Sequence, residues 1–414
     1  METDASLLKG LSLKCLDGCA YCCLCMPEIM AKEEEFFTKT HPKALSGEYV
    51  PHSGRRSQNV ILQGEAGACY FLKNRKCTIY AQRPQMCRQY PISIYLSRRI
   101  QPTPILSCRG LSSGAAGTDL ETLFAGILKS YDPKYLEGEL RKCECNFNVF
   151  KKRAEKAGAF ISQEDAAALL APILSNFADH GFLSRAIAFA NSEEFPADPN
   201  ALLNEILVAP PEDANEYIRE IESDTFEQED PANLPVFIDR NLTWRIFSKE
   251  DGTLVEYELS ENGNMAPKAR INFDSITLLP LDAAAGAELT SYLQLNLRRD
   301  FFYDVAALAA NSSAAFGSAE SSAVDTQAGK ASLVSSAVEK QRKERQHKED
   351  EDFARHLAAV YLELLAQTAL SVWWRASLIG KLRGIKELNK DDLRDGIIFY
   401  DADFLDSDSI GEFS

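Results

Sequence analysis

The chain runs to 414 residues, 45% of them apolar, enough to bury cores in two or three domains. Its formal net charge of −16 is unevenly placed: residues 1–150 hold 19 Lys and Arg against 15 Asp and Glu, so the acidic excess lies beyond them. Residues 1–10 show neither the basic start nor the apolar run of a secretion signal. No 18-residue stretch lacks polar groups, and the nearest, 357–374, contains Glu363 and Gln367. The expectation is a cytoplasmic protein with no membrane span, whose thiols stay reduced.

In chain order, residues 28–40 read as a helix with Pro27 in its first turn, closed by His41-Pro42. A short apolar stretch at 60–62 precedes a hairpin made by 69–72 and 77–80. Pro84 starts a short helix through Tyr90, and Pro91 stops it. Residues 92–96 and 105–108 look extended. Thr118-Asp119-Leu120-Glu121 fits a capping box and predicts a helix over 119–130. Helical spacing of Leu, Ile and Phe marks 165–177, 183–190 and 201–207, and Pro210-Pro211 breaks it.

Alternating apolar and polar residues predict strands at 236–239, 243–247, 254–259 and 269–273, with Asp251-Gly252 and Asn262-Gly263 as hairpin turns. Residues 288–310 return to helix. The charged run 339–352 opens a long helix through Trp374, with Trp373 and Trp374 as core anchors. Asp401, Asp403, Asp406 and Asp408 lack the Gly and closing Glu of a calcium loop and read as solvated surface. The expected fold class is α+β. A cysteine-rich domain (1–150) precedes a helical region (151–310) with an antiparallel insert at 235–280. A Ser/Ala-rich linker (311–335), a long helix (336–390) and an acidic tail (391–414) follow.

Eleven cysteines are present, and nine fall within residues 15–108. The first knot is Cys15-x3-Cys19-x2-Cys22-Cys23, followed by Cys25; the second is Cys69, Cys77, Cys87 and Cys108. Reduced thiols in such number suit metal ligation better than a disulfide framework, and the odd count agrees. Asp17-Gly18 argues against a regular helix in the first knot, and a tight loop leading into a helix would gather the sulfurs equally well. Adjacent Cys22 and Cys23 do not easily serve one ion, so two neighbouring sites or one polynuclear cluster would use both. In the second knot, a three-residue loop near Asn74 is one way to close the hairpin, and Cys87 sits one turn into its helix, where backbone N–H groups and nearby Arg83 and Arg88 lower a thiol pKa.

Without Cys25, eight thiols make two sets of four, which suits structural zinc and iron–sulfur clusters alike. Only His41 and His52 stand near enough in sequence to substitute. Cys143 and Cys145 read as an independent surface pair. Residues 69–110 carry eight basic side chains (Lys73, Arg75, Lys76, Arg83, Arg88, Arg98, Arg99, Arg109) and no acid. Neutralising the thiolates explains them better than a landing site for nucleic acid, which is not expected as a partner.

Cys15-x3-Cys19-x2-Cys22-Cys23, Cys69-Tyr-Phe-Leu, Cys77-Thr-Ile-Tyr-Ala-Gln-Arg-Pro-Gln-Met-Cys87-Arg-Gln-Tyr-Pro and Cys108-Arg-Gly together resemble the YkgJ-type cysteine-cluster family, zinc- or iron-chelating domains with a CxxCxxCC signature. The resemblance covers about residues 10–130. It departs at the three-residue gap after Cys15 and at Arg109, where the family has Pro. It implies that Cys15, Cys19, Cys22, Cys23, Cys69, Cys77, Cys87 and Cys108 are metal ligands, with Arg83 and Arg88 beside the metal or its ligand. It further implies a 4Fe-4S iron–sulfur cluster or zinc. Through the related flagellin lysine-N-methylases, it points to S-adenosylmethionine and a protein substrate.

Three function classes follow: a metal-centre protein, an iron–sulfur protein lysine methyltransferase, and a non-catalytic metal carrier or redox module. Gly110, Gly114 and Gly117 precede the capped helix, but Asp119 and Glu121 would repel an anion there. No Walker or G-x-G-x-x-G motif occurs. His180, His347 and His356 read as surface or satisfied core residues.

Overall fold

Short antiparallel pairings organise the N-terminal part of the computed structural model, which describes residues 2–46, 58–64, 66–114, 117–190, 195–311 and 355–404. Leu11–Leu13 lies between Leu111–Ser113 and Thr118–Asp119, and Gln58–Val60 lies between Glu28–Ile29 and Leu45–Ser46. Leu72–Lys73 pairs with Lys76–Cys77, and Ile92–Leu96 with Ile100–Pro104. A four-stranded antiparallel sheet (Val236–Ile238, Trp244–Glu250, Thr253–Leu259, Met265–Asn272) and a set of helices complete an α+β fold. Asp251 and Gly252 both have positive φ, the conformation that a two-residue hairpin requires.

The helix Leu357–Leu382 is the spine of the core. It is long and apolar enough to cross a membrane, yet most of it is buried inside the fold. Trp373 and Trp374 are both buried, as core anchors should be. Trp374 packs on Phe226 and Phe273 with ring centroids 5.7 and 5.4 Å apart. Arg375, one residue on, is buried and pairs with buried Glu222 at 3.0 Å. One continuous apolar cluster extends from Leu8 to Phe399, and a small satellite gathers Phe37, Val60, Cys69 and Phe71.

Several expectations change. Glu28–Ile29 is a strand, because it pairs with Gln58–Val60, so the helix begins only at Ala31 and Pro27 lies outside it. Residues 105–108 are a turn, not a strand: Cys108 N donates to Ile105 O at 3.2 Å. Asp119, not Thr118, caps the helix Leu120–Leu128: its carboxylate accepts from Thr122 N at 2.8 Å. The helix predicted over 165–177 ends at Leu170 and continues as 3-10 turns from Ala171, where Pro172 removes a donor. The stretch 288–310 is two helices, Ala283–Leu297 and Asp300–Asn311.

Two helices, Pro133–Lys156 and Ala214–Phe226, stand where no element is predicted. The acidic tail is not all solvated. The helix Lys390–Tyr400 buries Asp392 and Asp395, and Asp401 beyond it is buried as well. Asp406, Asp408, the linker 311–335 beyond its first residue, the charged run 339–352, His52 and His347 lie outside the described residues.

Candidate metal centre

The first cysteine loop is shaped by backbone geometry. Gly18 has φ +77°, a left-handed turn natural to glycine, and Cys19 N closes the turn on Leu16 O at 3.2 Å. Ala20 is also left-handed, at φ +48°, and redirects the chain into one 3-10 turn, Tyr21–Cys23. The second knot is joined to this loop through the main chain: Cys69 N donates to Cys23 O at 2.7 Å. Leu72–Lys73 and Lys76–Cys77 then form a hairpin whose two turn residues, Asn74 and Arg75, both take positive φ. That is a two-residue turn, tighter than the three-residue loop considered from sequence. Cys87 stands in the short helix Gln85–Gln89. Cys108 is delivered by the turn after Ile100–Pro104.

These segments converge on Cys22. Its sulfur accepts a hydrogen bond from the Cys23 thiol, and this, aided by the Arg83 guanidinium and its own backbone N–H, holds its pKa below the ordinary thiol value. Cys15, Cys19, Cys23, Cys69, Cys77, Cys87 and Cys108 all feel the Cys22 charge. Burial is the largest cause of a raised pKa at all of these except Cys23, whose proton is held chiefly by its hydrogen bond to Cys22. Cys69 is pushed up to about 11 and Cys108 to about 12.

The other three cysteines stand apart. Cys25 Sγ donates to Cys22 O at 3.3 Å. Cys143 and Cys145 do not form a surface pair. Two residues apart on one helix they point to different faces, and Cys143 is buried with its thiol against Leu96 O at 3.5 Å while Cys145 is exposed. His41 packs its ring on Phe71 in the satellite core, with centroids 5.0 Å apart.

The cations divide their work differently from expectation. Arg83 faces Cys15, Cys22, Cys77 and Cys87 and lies 3.9 Å over the Tyr80 ring. Arg88 points elsewhere, to Glu33 at 2.6 Å. Arg98 pairs with Asp304 at 3.4 Å, Arg99 with Asp300 at 2.8 Å, and Arg109 with Asp395 at 2.5 Å. Most of the basic stretch therefore neutralises carboxylates rather than thiolates, and these carboxylates arrive from distant parts of the chain.

The four-stranded sheet braces the first cysteine loop, which sequence reasoning missed. Cys19 O accepts from the Trp244 indole Nε1 at 3.0 Å and from Arg75 Nη1 at 3.3 Å. The Arg75 guanidinium lies 3.5 Å over the Trp244 ring. Tyr21 Oη donates to Val236 O at 2.9 Å, and Arg109 Nε to Ile238 O at 2.7 Å. Glu261, in the loop between the last two strands, accepts from the Asn74 and Arg75 backbone N–H groups. No sequence signal connects Trp244 with Cys19 across 225 residues.

The donor set is all sulfur, buried or half-buried apart from the exposed Cys15, with the Arg83 cation beside Cys22, and such soft ligands fit zinc or iron–sulfur centres. Among the described residues no three His, Cys, Asp or Glu are already drawn to one point that would hold a single ion. No curated protein and no solved structure matches the chain. Residues 14–108, which contain all eight converging cysteines, match the model of the CxxCxxCC family, a proposed zinc- or iron-chelating domain, and this match supports metal binding by the centre.

Proposed function

We propose that this is a cytoplasmic metal-centre protein whose eight thiols around Cys22 hold an iron–sulfur centre. The observation that carries the reading is that one cysteine, Cys22, lies within electrostatic reach of all seven other candidate ligands. A single tetrahedral zinc needs four sulfurs, each about 2.3 Å from one point. The candidate thiols number eight, twice that set, and adjacent Cys22 and Cys23 suit a polynuclear centre that each can reach separately. Arg83 offsets the negative charge of the thiolates, and the braced Cys19 carbonyl fixes the loop from behind.

A bound cluster would supply one-electron redox chemistry or a purely structural cross-link. The chain's own part is to orient and shield the sulfurs. The test is oxygen-free purification followed by metal and sulfide analysis and an electronic spectrum. Brown protein with iron and acid-labile sulfide supports the reading. Colourless protein with stoichiometric zinc overturns the iron–sulfur assignment and leaves a thiolate zinc site. S-adenosylmethionine binding by the loaded protein would extend the reading to methyl transfer to a protein, and ready metal loss to a chelator would extend it to metal carriage.

A further inference from the structure

Three buried hydrogen-bond donors near the thiols make no well-formed hydrogen bond among the described residues: the Tyr90 hydroxyl, which lies within interaction range of Ser107 and the Cys108 sulfur, the Ser107 hydroxyl, and Arg83 Nε. Buried donors are paired in the great majority of native structures, and one left unpaired is costly. Arg83 already has a role as the cation facing Cys22. The two neutral hydroxyls have none. Tyr90 lies beside Cys108 and within reach of Cys22, and Ser107 lies beside Tyr90 and directly precedes Cys108. The Tyr90 ring is partly exposed, but its hydroxyl oxygen is buried and turned to the sulfur side. The acceptor type this neighbourhood offers once the ligands are deprotonated is sulfur, as thiolate or as inorganic sulfide.

We propose that Tyr90, supported by Ser107, donates a hydrogen bond to a sulfur of the filled centre. It is a positioning residue that sets how tightly the centre is held and, for an iron–sulfur cluster, its reduction potential. The redox half of this inference rests on the iron–sulfur reading above; the retention half does not. Drawing charge from a sulfur favours the more reduced, more negative form, so losing the donor lowers the potential. Loss of such a partner behind a metal ligand typically weakens metal affinity by roughly 10- to 100-fold.

The test loads full-length Tyr90→Phe, Ser107→Ala and the parent with ferrous iron and sulfide under nitrogen. Phenylalanine keeps the ring and its packing, and circular dichroism checks the fold of each protein before loading. Tyr90→Phe should show a more negative midpoint potential and lose iron to a chelator roughly tenfold faster than the parent. Ser107→Ala should move both in the same direction by less, and it carries the test should Tyr90→Phe fold poorly. Variants with the parent's potential and the parent's rate of iron loss overturn the proposal. If the parent takes up zinc and no cluster, the iron–sulfur reading fails alone: Tyr90→Phe must then release zinc faster, and an unchanged rate overturns this inference too. A parent that binds neither metal overturns both.

Discussion

Of the eight candidate ligands, Cys22 alone has its pKa lowered, because a neighbouring thiol donates to it and Arg83 faces it. The others keep their protons through burial and, at Cys23, a hydrogen bond to Cys22, so metal uptake must displace those protons. Cys22→Ser should therefore abolish stable metal binding, whereas Cys145→Ser, on an exposed helix face, should leave metal content unchanged; elemental analysis of the two proteins decides it. That the eight cysteines would gather in one region was legible in the sequence, because chance does not cluster thiols so densely along the chain. Arg88 was not legible: charge and proximity along the chain gave it a place beside Cys87, but its partner Glu33 comes from another helix.

A second residue-scale effect concerns pH. Asp304 is buried beneath Tyr95, Ser97 and Arg98, and burial outweighs the Arg98 charge, so its pKa is raised to about 6. The folded state then binds a proton that the unfolded state has already lost near its ordinary value of 3.8. Stability attributable to this group is greatest at low pH and falls as pH rises from about 4 through about 6, by on the order of 3 kcal/mol. Asp304→Asn removes that slope. Its melting temperature relative to the parent should be higher at pH 7 than at pH 4.5.

At the scale of elements, the sheet and the cysteine loop act together. Trp244→Phe keeps an aromatic ring but deletes the indole donor to Cys19 O, which costs about 1 kcal/mol in hydrogen bonding plus a packing loss. The variant should unfold at lower urea and surrender metal to a chelator faster than the parent. Equal metal retention would show that the brace is structural only.

The strands of this sheet were legible from period-two alternation and from Asp251-Gly252, since turn chemistry and pattern agree there. The helix Pro133–Lys156 was legible and passed over. Leu136, Leu140, Cys143, Phe147, Phe150 and Ala154 form its buried stripe. Reading Cys143 as an exposed surface residue instead of a small apolar core side chain interrupts that stripe. The turn at 105–108 was not legible, because Ile and Leu there match a strand while the backbone closes on itself to present Cys108.

Across the whole molecule, the uneven charge becomes a fastening. The basic segment beside the cysteines meets carboxylates from the later helices: Asp300 and Asp304, Asp395, and Asp401, which accepts from the Leu106 backbone N–H and from Arg299 at 3.1 Å. Asp395 alone holds Arg109, Arg240 and Arg383 at 2.5, 2.9 and 2.8 Å. Asp395→Asn should cost on the order of 2–3 kcal/mol in urea unfolding. That is less than the ~3–5 kcal/mol for breaking a fully buried pair, because Arg240 and Arg383 are partly exposed. The charge split was visible in the sequence, but its pairing was not, since partners two to three hundred residues apart meet only through the fold.

The most direct test of the converging-sulfur account compares metal per chain, after oxygen-free isolation, between the parent and a variant with Cys22, Cys23, Cys77 and Cys87 all changed to serine. The account predicts iron with acid-labile sulfide in the parent and almost no metal in the variant. A parent without iron or zinc, or a variant as fully loaded as the parent, would contradict it.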